Sequence, residues 1–329
     1  MIEETQIAKL VAYRVSEDDF LNNLGSSPTE SIDLNRRLAN YLLTLKEGDR
    51  LLSSRDIADL FGASLGSVSS AFNSLEEIGA VTINRRGRLG SYLEKKSLGI
   101  LWRVIENGPM VIALTLPSFP KSEGLATAIY SLLDHAGIET YLVFIRGSYN
   151  RIKALRNNRC HATVMSALAA DNLCEANEEI ILTLPPQSFV MDHQVVFRRT
   201  GDTGPRPLRV GIDVDSFDIK YLTKLEFADS DVEYCPVTFM EIDLHLDQSS
   251  LDAAISNLDY LDQRVGKEIY SRPLSPRVQE LIGNRDTSAA VIVRAGAVST
   301  KTILKEILDP EAVMEIQQRV VAGQMVPRY

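Results

Sequence analysis

Cysteine is scarce. The three in the chain, Cys160, Cys174 and Cys235, form no C-x-x-C pair and are odd in number. They offer neither a disulfide framework nor a thiolate zinc site, and they suit a reducing compartment. The four histidines, His135, His161, His193 and His245, are scattered without an H-x-x-x-H or H-E-x-x-H pair, which removes the usual zinc hydrolases. No P-loop and no G-x-G-x-x-G occur. Carboxylate pairs such as Asp213 and Asp215 flank a strand end, where structural or surface roles are commoner than acid–base work. These absences argue against an enzyme, and no metal or cofactor is expected. Long apolar runs are also missing, since none approaches the roughly 18–20 residues of a membrane span. The opening MIEETQIAKL carries acids where a secretion signal needs Lys or Arg. The expected setting is the cytoplasm, away from any membrane.

Positive charge is in deficit, with a formal net charge of -9 over 329 residues. The deficit is uneven. Residues 31–98 hold ten Lys/Arg against eight Asp/Glu, whereas residues 99–329 hold 23 against 30. An acidic body repels nucleic acid, so any DNA contact must come from a local basic face. The stretch NRRGRLGSYLEKK (84–96) supplies one, with Arg85, Arg86, Arg88, Lys95 and Lys96 set around two glycines.

The residues before it read as three helices. SIDLNRRLANYLLTL (31–45) places Ile32, Leu34, Leu38, Leu42 and Leu45 at helical spacing and stops at Gly48. Ser53 followed by Asp56 resembles a capping box for a second helix that Gly62 ends. Ser64 caps a third, which buries Val68, Phe72, Leu75 and Ile78 and ends at Gly79. Two short helices around a glycine make a helix-turn-helix pattern. Val81 and Ile83 then alternate with polar residues, and a hairpin with RRGRLG at its tip is predicted. Three helices and a hairpin make a winged helix. Ser64, Ser67, Ser69, Ser70 and Asn73 of the third helix are small polar groups suited to base edges or phosphates. Arg85, Arg86 and Arg88 suit a narrow, electronegative minor groove, and Gly90 allows close backbone approach.

Residues 51–93, LLSSRDIADLFGASLGSVSSAFNSLEEIGAVTINRRGRLGSYL, resemble the winged-helix domain of the GntR family of bacterial regulators. The resemblance implies that Arg55 contacts phosphate and that Gly90 is the wing-tip glycine in the minor groove. Leu65 and Ser69 depart from it, standing where that family often has arginines. Over a longer span, RRGRLGSYL (85–93), DHQVVFRR (192–199) and QQRVVAGQMVPRY (317–329) look like the YhfZ family. That resemblance implies a DNA-binding regulator with a ligand-sensing C-terminal domain.

From residue 110 onward, short Val- and Ile-rich runs alternate with helical stretches such as GLATAIYSLLDHAG (124–137), the pattern of an α/β domain with mainly parallel sheets. The runs fall into two similar halves and resemble the two-lobed type II periplasmic-binding-protein fold. The expected organisation is an N-terminal helical extension and linker (1–30), a winged helix-turn-helix domain (31–96) and a connector (97–109). A two-lobed ligand-sensing domain (110–329) follows. Lobe one takes about 110–199 and 289–329, and lobe two about 208–288.

In such a fold the ligand lies between the lobes, against strand ends and helix N-termini. The candidates there are Ser118, Glu123, Gly124, Arg146, Gly147, Ser166 and His193 from lobe one, with Asp213, Asp215, Ser216 and Asn257 from lobe two. An arginine following a buried strand needs an anionic partner, so Arg146 is expected to hold a small anionic or zwitterionic metabolite, with lobe-two carboxylates at its other end. The function expected is a ligand-responsive transcriptional regulator that binds a double-stranded DNA operator as a homodimer. The competing reading is a cytoplasmic solute-binding or accessory protein whose winged helix contacts other proteins. The arginine-rich wing tip favours DNA.

Overall fold

The computed structural model describes residues 30–198, 207–257, 259 and 269–329. The helix expected within residues 1–24 and its linker through residue 29 lie outside them. The described chain divides into two compact units. One holds the residues through Met110 together with Leu132–Tyr141 and Ala295–Leu308, and the other holds Val111–Ser131, Leu142–Arg294 and Asp309–Tyr329.

The first unit opens with helices α1 (Glu30–Thr44), α2 (Ser54–Phe61) and α3 (Leu65–Glu77). The hairpin β1 (Val81–Arg85) and β2 (Ser91–Lys96) follows, then α4 (Leu98–Glu106). The capping box forms as its spelling predicts: Ser53 Oγ accepts from the Asp56 amide at 3.2 Å, and Asp56 accepts from the Ser53 amide at 3.3 Å. Gly62, at φ +62°, ends α2 in the left-handed region. Leu38, Leu42, Ile57, Phe61, Val68, Phe72, Leu75, Val81, Ile83 and Leu93 are buried. Each such side chain contributes about 1.5–3 kcal/mol. Residues 97–109, expected as a connector, instead form the helix α4. Ser97 caps it, Asn107 closes it in the left-handed region, and Leu101, Trp102 and Ile105 face inward. Their helical spacing is a core signal that the reading as a connector overlooked.

The chain continues, mostly in the second unit, with β3 (Met110–Leu114), α5 (Pro120–His135), β4 (Thr140–Phe144), α6 (Ser148–Arg156), β5 (Ala162–Ser166), α7 (Ala167–Leu173) and β6 (Glu178–Thr183), the end of α5 and the start of β4 counting with the first unit. Then come β7 (His193–Arg198), β8 (Leu208–Ile212), α8 (Phe217–Glu226), β9 (Val232–Pro236), α9 (Ile242–Asp247), β10 (Ala253–Asn257) and β11 (Ile269–Pro273). The last elements are α10 (Pro276–Ile282), β12 (Ala289–Arg294), α11 (Val298–Ile307), which belongs to the first unit, and α12 (Pro310–Val321).

The strands form two five-stranded sheets with one shared plan, ordered β4-β3-β5-β12-β6 and β9-β8-β10-β7-β11. In each, the half-chain lays down its first three strands in the order second, first, third. A crossover strand then enters antiparallel, and a fourth strand closes the edge. β12 runs antiparallel to β5 and β6, and β7 antiparallel to β10 and β11. The pairs β3/β5, β8/β9 and β8/β10 are parallel. This is a two-lobed, periplasmic-binding-protein-like α/β body.

The sequence reading kept residues 193–199 with lobe one, but β7 lies in the second sheet. Val195 packs towards α8 and α10, and Val196 towards α9. Apolar residues on both faces mark a central strand without saying which sheet receives it.

Candidate functional site

The outward side of α3 follows its sequence except at Ile78, expected in the core but 51% exposed at the end of the helix. Val68, Ala71, Phe72 and Leu75 turn into the core, leaving Ser69, Ser70 and Asn73 exposed. Ser64 and Ser67 are exposed too, but already occupied: Ser64 Oγ accepts from the Ser67 amide at 3.0 Å and lies 2.9 Å from Ser67 Oγ. Their main task is capping the helix. No acid stands in its first turn, so the N-terminal dipole faces outward unopposed. Residues 62–66, Gly-Ala-Ser-Leu-Gly, spell the G-x-S-x-G of a nucleophile elbow. Here the string joins two helices rather than a strand to a helix, and its serine is a cap. Arg55 is exposed in the first turn of α2.

The basic stretch divides by role. Lys96 turns inward, its side chain 5% exposed, and donates to the carbonyls of Leu43 at 3.2 Å and Leu45 at 2.9 Å and to Glu306 at 2.8 Å. It therefore satisfies carbonyls at the end of α1. Arg85 makes a two-pronged ion pair with Glu76 of α3, with Nη1 3.0 Å from Oε1 and Nη2 on Oε2. Arg86 and Arg88 are exposed at the tip, with Arg86 stacked 4.8 Å from the Tyr92 ring centroid. Gly90 sits at φ +94°, ψ −171°, a region open in practice only to glycine. Sequence reasoning missed Arg50. Its guanidinium lies over Gly90, with Nε 2.7 Å from where a Cβ would stand. Residues 50 and 92 bridge as antiparallel neighbours. A pairing over that separation has no local signature.

In the second unit, one group of predicted ligand residues meets where the lobes face each other. Arg146, just after β4, donates from Nη1 to Asp213 Oδ2 at 2.8 Å and from Nη2 to Asp215 Oδ2. Asp213 is almost wholly buried and also accepts from the amides of Asp215 at 3.0 Å and Phe239 at 2.9 Å. Gly147, at φ +79°, lies against Asp215, where a Cβ would come 2.5 Å from the Asp215 carbonyl oxygen. Ser216 caps α8, accepting from Ile219 at 3.4 Å, and Ser148 of lobe one accepts from the Phe217 amide at 2.8 Å. The anion expected on Arg146 from outside is thus supplied by the chain itself. The lobes are latched by an arginine between two aspartates.

Beneath the latch lies a second, buried charge group. Ser166, which caps α7, donates to Asp218 at 2.7 Å. Arg151 is only 3% exposed and donates to the carbonyls of Val164 and Ile145, each at 3.0 Å. Burial pulls the Arg151 pKa down to about 10. Burial also pushes the Asp218 carboxyl above its ordinary range, against the opposing pull of His193 and Ser166. His193 opens β7, and its Nδ1 lies 2.8 Å from Oδ2 of Asp286 in the segment leading to β12. The pair therefore ties together the two crossovers between the lobes. Burial lowers the His193 pKa, but the bond to Asp286 and the charges of Asp286, Asp218 and Asp192 outweigh it, and the net direction is upward. Asn257 is buried at the end of β10, opposite His193 in register.

The other three candidates are held elsewhere. Gly124 packs on α12, where a Cβ would meet the Gln317 carbonyl oxygen at 2.8 Å. Its missing side chain makes room for the helix, not for a ligand. Glu123 acts on Tyr329, whose ring meets Phe144 edge-on with centroids 5.3 Å apart. Ser118 is half-buried, its amide donating to Leu116 at 3.0 Å. Among the described residues no group of His, Cys, Asp and Glu is placed to hold a metal ion, and no helix is long and apolar enough to cross a membrane.

Two family profiles match the chain: a helix-turn-helix domain over residues 46–93 and the YhfZ C-terminal domain over residues 99–329. The uncharacterized protein YhfZ of Escherichia coli (strain K12) is 32% identical over 293 residues, spanning 89% of this chain and 95% of that protein. The crystal structure of YhfZ from Shigella flexneri is 31% identical, covers 70% of this chain and 98% of its own, and superposes with a TM-score of 0.57. The chain carries a helix-turn-helix domain followed by the two-lobed domain of these proteins, and it belongs to the YhfZ family.

Proposed function

We propose that this protein is a cytoplasmic, homodimeric transcriptional regulator. Its GntR-like winged helix binds an operator, and its two-lobed domain answers to a small metabolite. The observation that carries the reading is the pairing of an exposed, acid-free helix start on α3 with exposed arginines at the wing, in a chain that is otherwise acidic. Arg55, Ser69, Ser70 and Asn73 act with Arg86, Arg88 and the backbone at Gly90 on the duplex. Two copies related by a two-fold axis suit a palindromic operator.

The latch narrows the chemistry of the effector. A plain anion drawn to Arg146 would strand Asp213, which is buried, without its cation, at a cost of several kcal/mol on the order of that for breaking a buried pair. A zwitterion exchanges partners on both sides, its carboxylate taking Arg146 and its ammonium taking Asp213 and Asp215. A zwitterionic metabolite is therefore favoured over a simple anion, with Gly147 and Ser216 beside it.

The test is DNA selection from random duplexes by the full chain, followed by titration of the selected sequence with and without amino-acid-like metabolites. Replacing Arg86 and Arg88 by Ala weakens binding and flattens its salt dependence. Arg146→Ala keeps DNA binding but loses the metabolite response. Failure to enrich any sequence overturns the regulator reading, and an intact metabolite response in Arg146→Ala overturns the effector site.

A further inference from the structure

The basic stretch 84–96 invites the assumption that its arginines are equivalent, and the structure separates them. Arg85 is held by both carboxylate oxygens of Glu76, so its charge is balanced and its fork of donors is aimed at α3. Moving Arg85 to a phosphate would strand Glu76 as a bare anion beside the duplex. Arg50, outside the stretch, is exposed and pairs with Tyr92 of the return strand. Its guanidinium rests on Gly90, with Nη2 3.1 Å and Cζ 3.3 Å from the position of an added Cβ. The Leu51 amide donates to the Ser91 carbonyl at 2.8 Å, which fixes the start of the Arg50 side chain against the return strand. Arg86 lies over Tyr92, the residue that bridges to Arg50. Arg50, Arg86 and Arg88 are thus gathered at one turn, and Gly90 is the floor on which the first of them lies.

We propose that Arg50 is the third phosphate-binding cation of the wing, and that Arg85 is a positioning residue fastening the wing to α3 through Glu76. This rests on the DNA-binding reading above. It also gives Gly90 a second role. A side chain there would displace the Arg50 guanidinium as well as strain the backbone, so the glycine serves a protein arginine in addition to any groove contact.

The experiment is fluorescence anisotropy of the full-length protein on a mixed-sequence DNA duplex across a salt series. Each phosphate contact adds about one to the slope of log affinity against log salt, so the slope counts cations in a way that a loss of folding does not imitate. Arg50→Ala and Arg50→Gln each lower the slope by about one, and Arg50→Lys restores it. Arg85→Ala leaves the slope unchanged, whereas Glu76→Gln, which frees Arg85, raises it by about one. An unchanged slope in both Arg50→Ala and Arg50→Gln, or a lowered slope in Arg85→Ala, overturns the proposal. If the unsubstituted protein shows no salt-dependent duplex binding, the DNA-binding reading itself fails and the assignment falls with it. That result is distinct from a defect confined to the variants.

Discussion

Around the wing, Arg55, Arg86 and Arg88 are exposed, whereas in the two-lobed unit Arg151, Asp218, His193 and Asp286 are buried and matched within the chain. The contrast separates two meanings of charge. A cation in water loses little by lacking a partner, so a cluster of them in an acidic protein points outward to one. A buried ion must be matched where it sits, and its presence reports on how the fold is held. Arg146 stands between these cases. It is partly exposed, yet bound to two aspartates of the other lobe.

The strongest way to sharpen the comparison is to remove a buried cation. Arg151→Met takes the guanidinium from the carbonyls of Ile145 and Val164 and leaves Asp218 with His193 but without its second nearby positive charge. Removing one side of a buried charged group costs about 3–5 kcal/mol, and urea unfolding of the variant is expected to show a loss of that size. A loss below about 1 kcal/mol would rank Arg151 with surface pairs and remove the contrast.

A smaller effect is expected from pH. The His193 pKa is raised in the folded protein, with Asp286, Asp218 and Asp192 facing it. A group raised on folding stabilises fully below its unfolded pKa, about 6.5 for histidine, and that contribution is lost as pH rises through the folded value. The buried Asp218 is raised as well and works in the same sense from the carboxylate range upward. The melting temperature of the unsubstituted protein is therefore expected to fall as pH rises above about 6.5, the unfolded histidine value. His193→Gln should flatten that fall. A parallel profile for the variant would show that the pair between the crossovers carries no proton linkage.

These charge roles were only partly legible in the sequence. Local features read through: the Ser53–Asp56 box, the Ser64 cap and the glycine stop at Gly62 each depend on neighbours within a few residues. The Val- and Ile-rich strands read through because burial on both faces leaves an uninterrupted apolar run. What failed was non-local. The Arg146 need for an anion was readable, but Asp213 and Asp215 lie 67 and 69 residues away in the other lobe. β11, IYSRP, has no uninterrupted apolar run to mark it, and it ends in proline, which an edge strand tolerates and a central one does not. Gly124 was read as a ligand contact because helix starts often hold ligands, while the chain used the space for α12.

The smallest expected effect on stability lies at the wing, and it is the most informative. Arg86 stacks on Tyr92, and an exposed cation–π contact contributes about 0.5–1 kcal/mol. Arg88 is exposed at the turn, where a substitution usually moves stability by no more than about 0.5 kcal/mol. The double replacement of Arg86 and Arg88 by Ala should therefore leave the urea midpoint almost unchanged while DNA affinity falls. That divergence cannot arise if the arginines mainly hold the hairpin together, because then affinity and stability would fall in step. A stability loss above about 2 kcal/mol would place them with Arg151 as structural charges. The wing would then differ from the buried cluster only in its exposure.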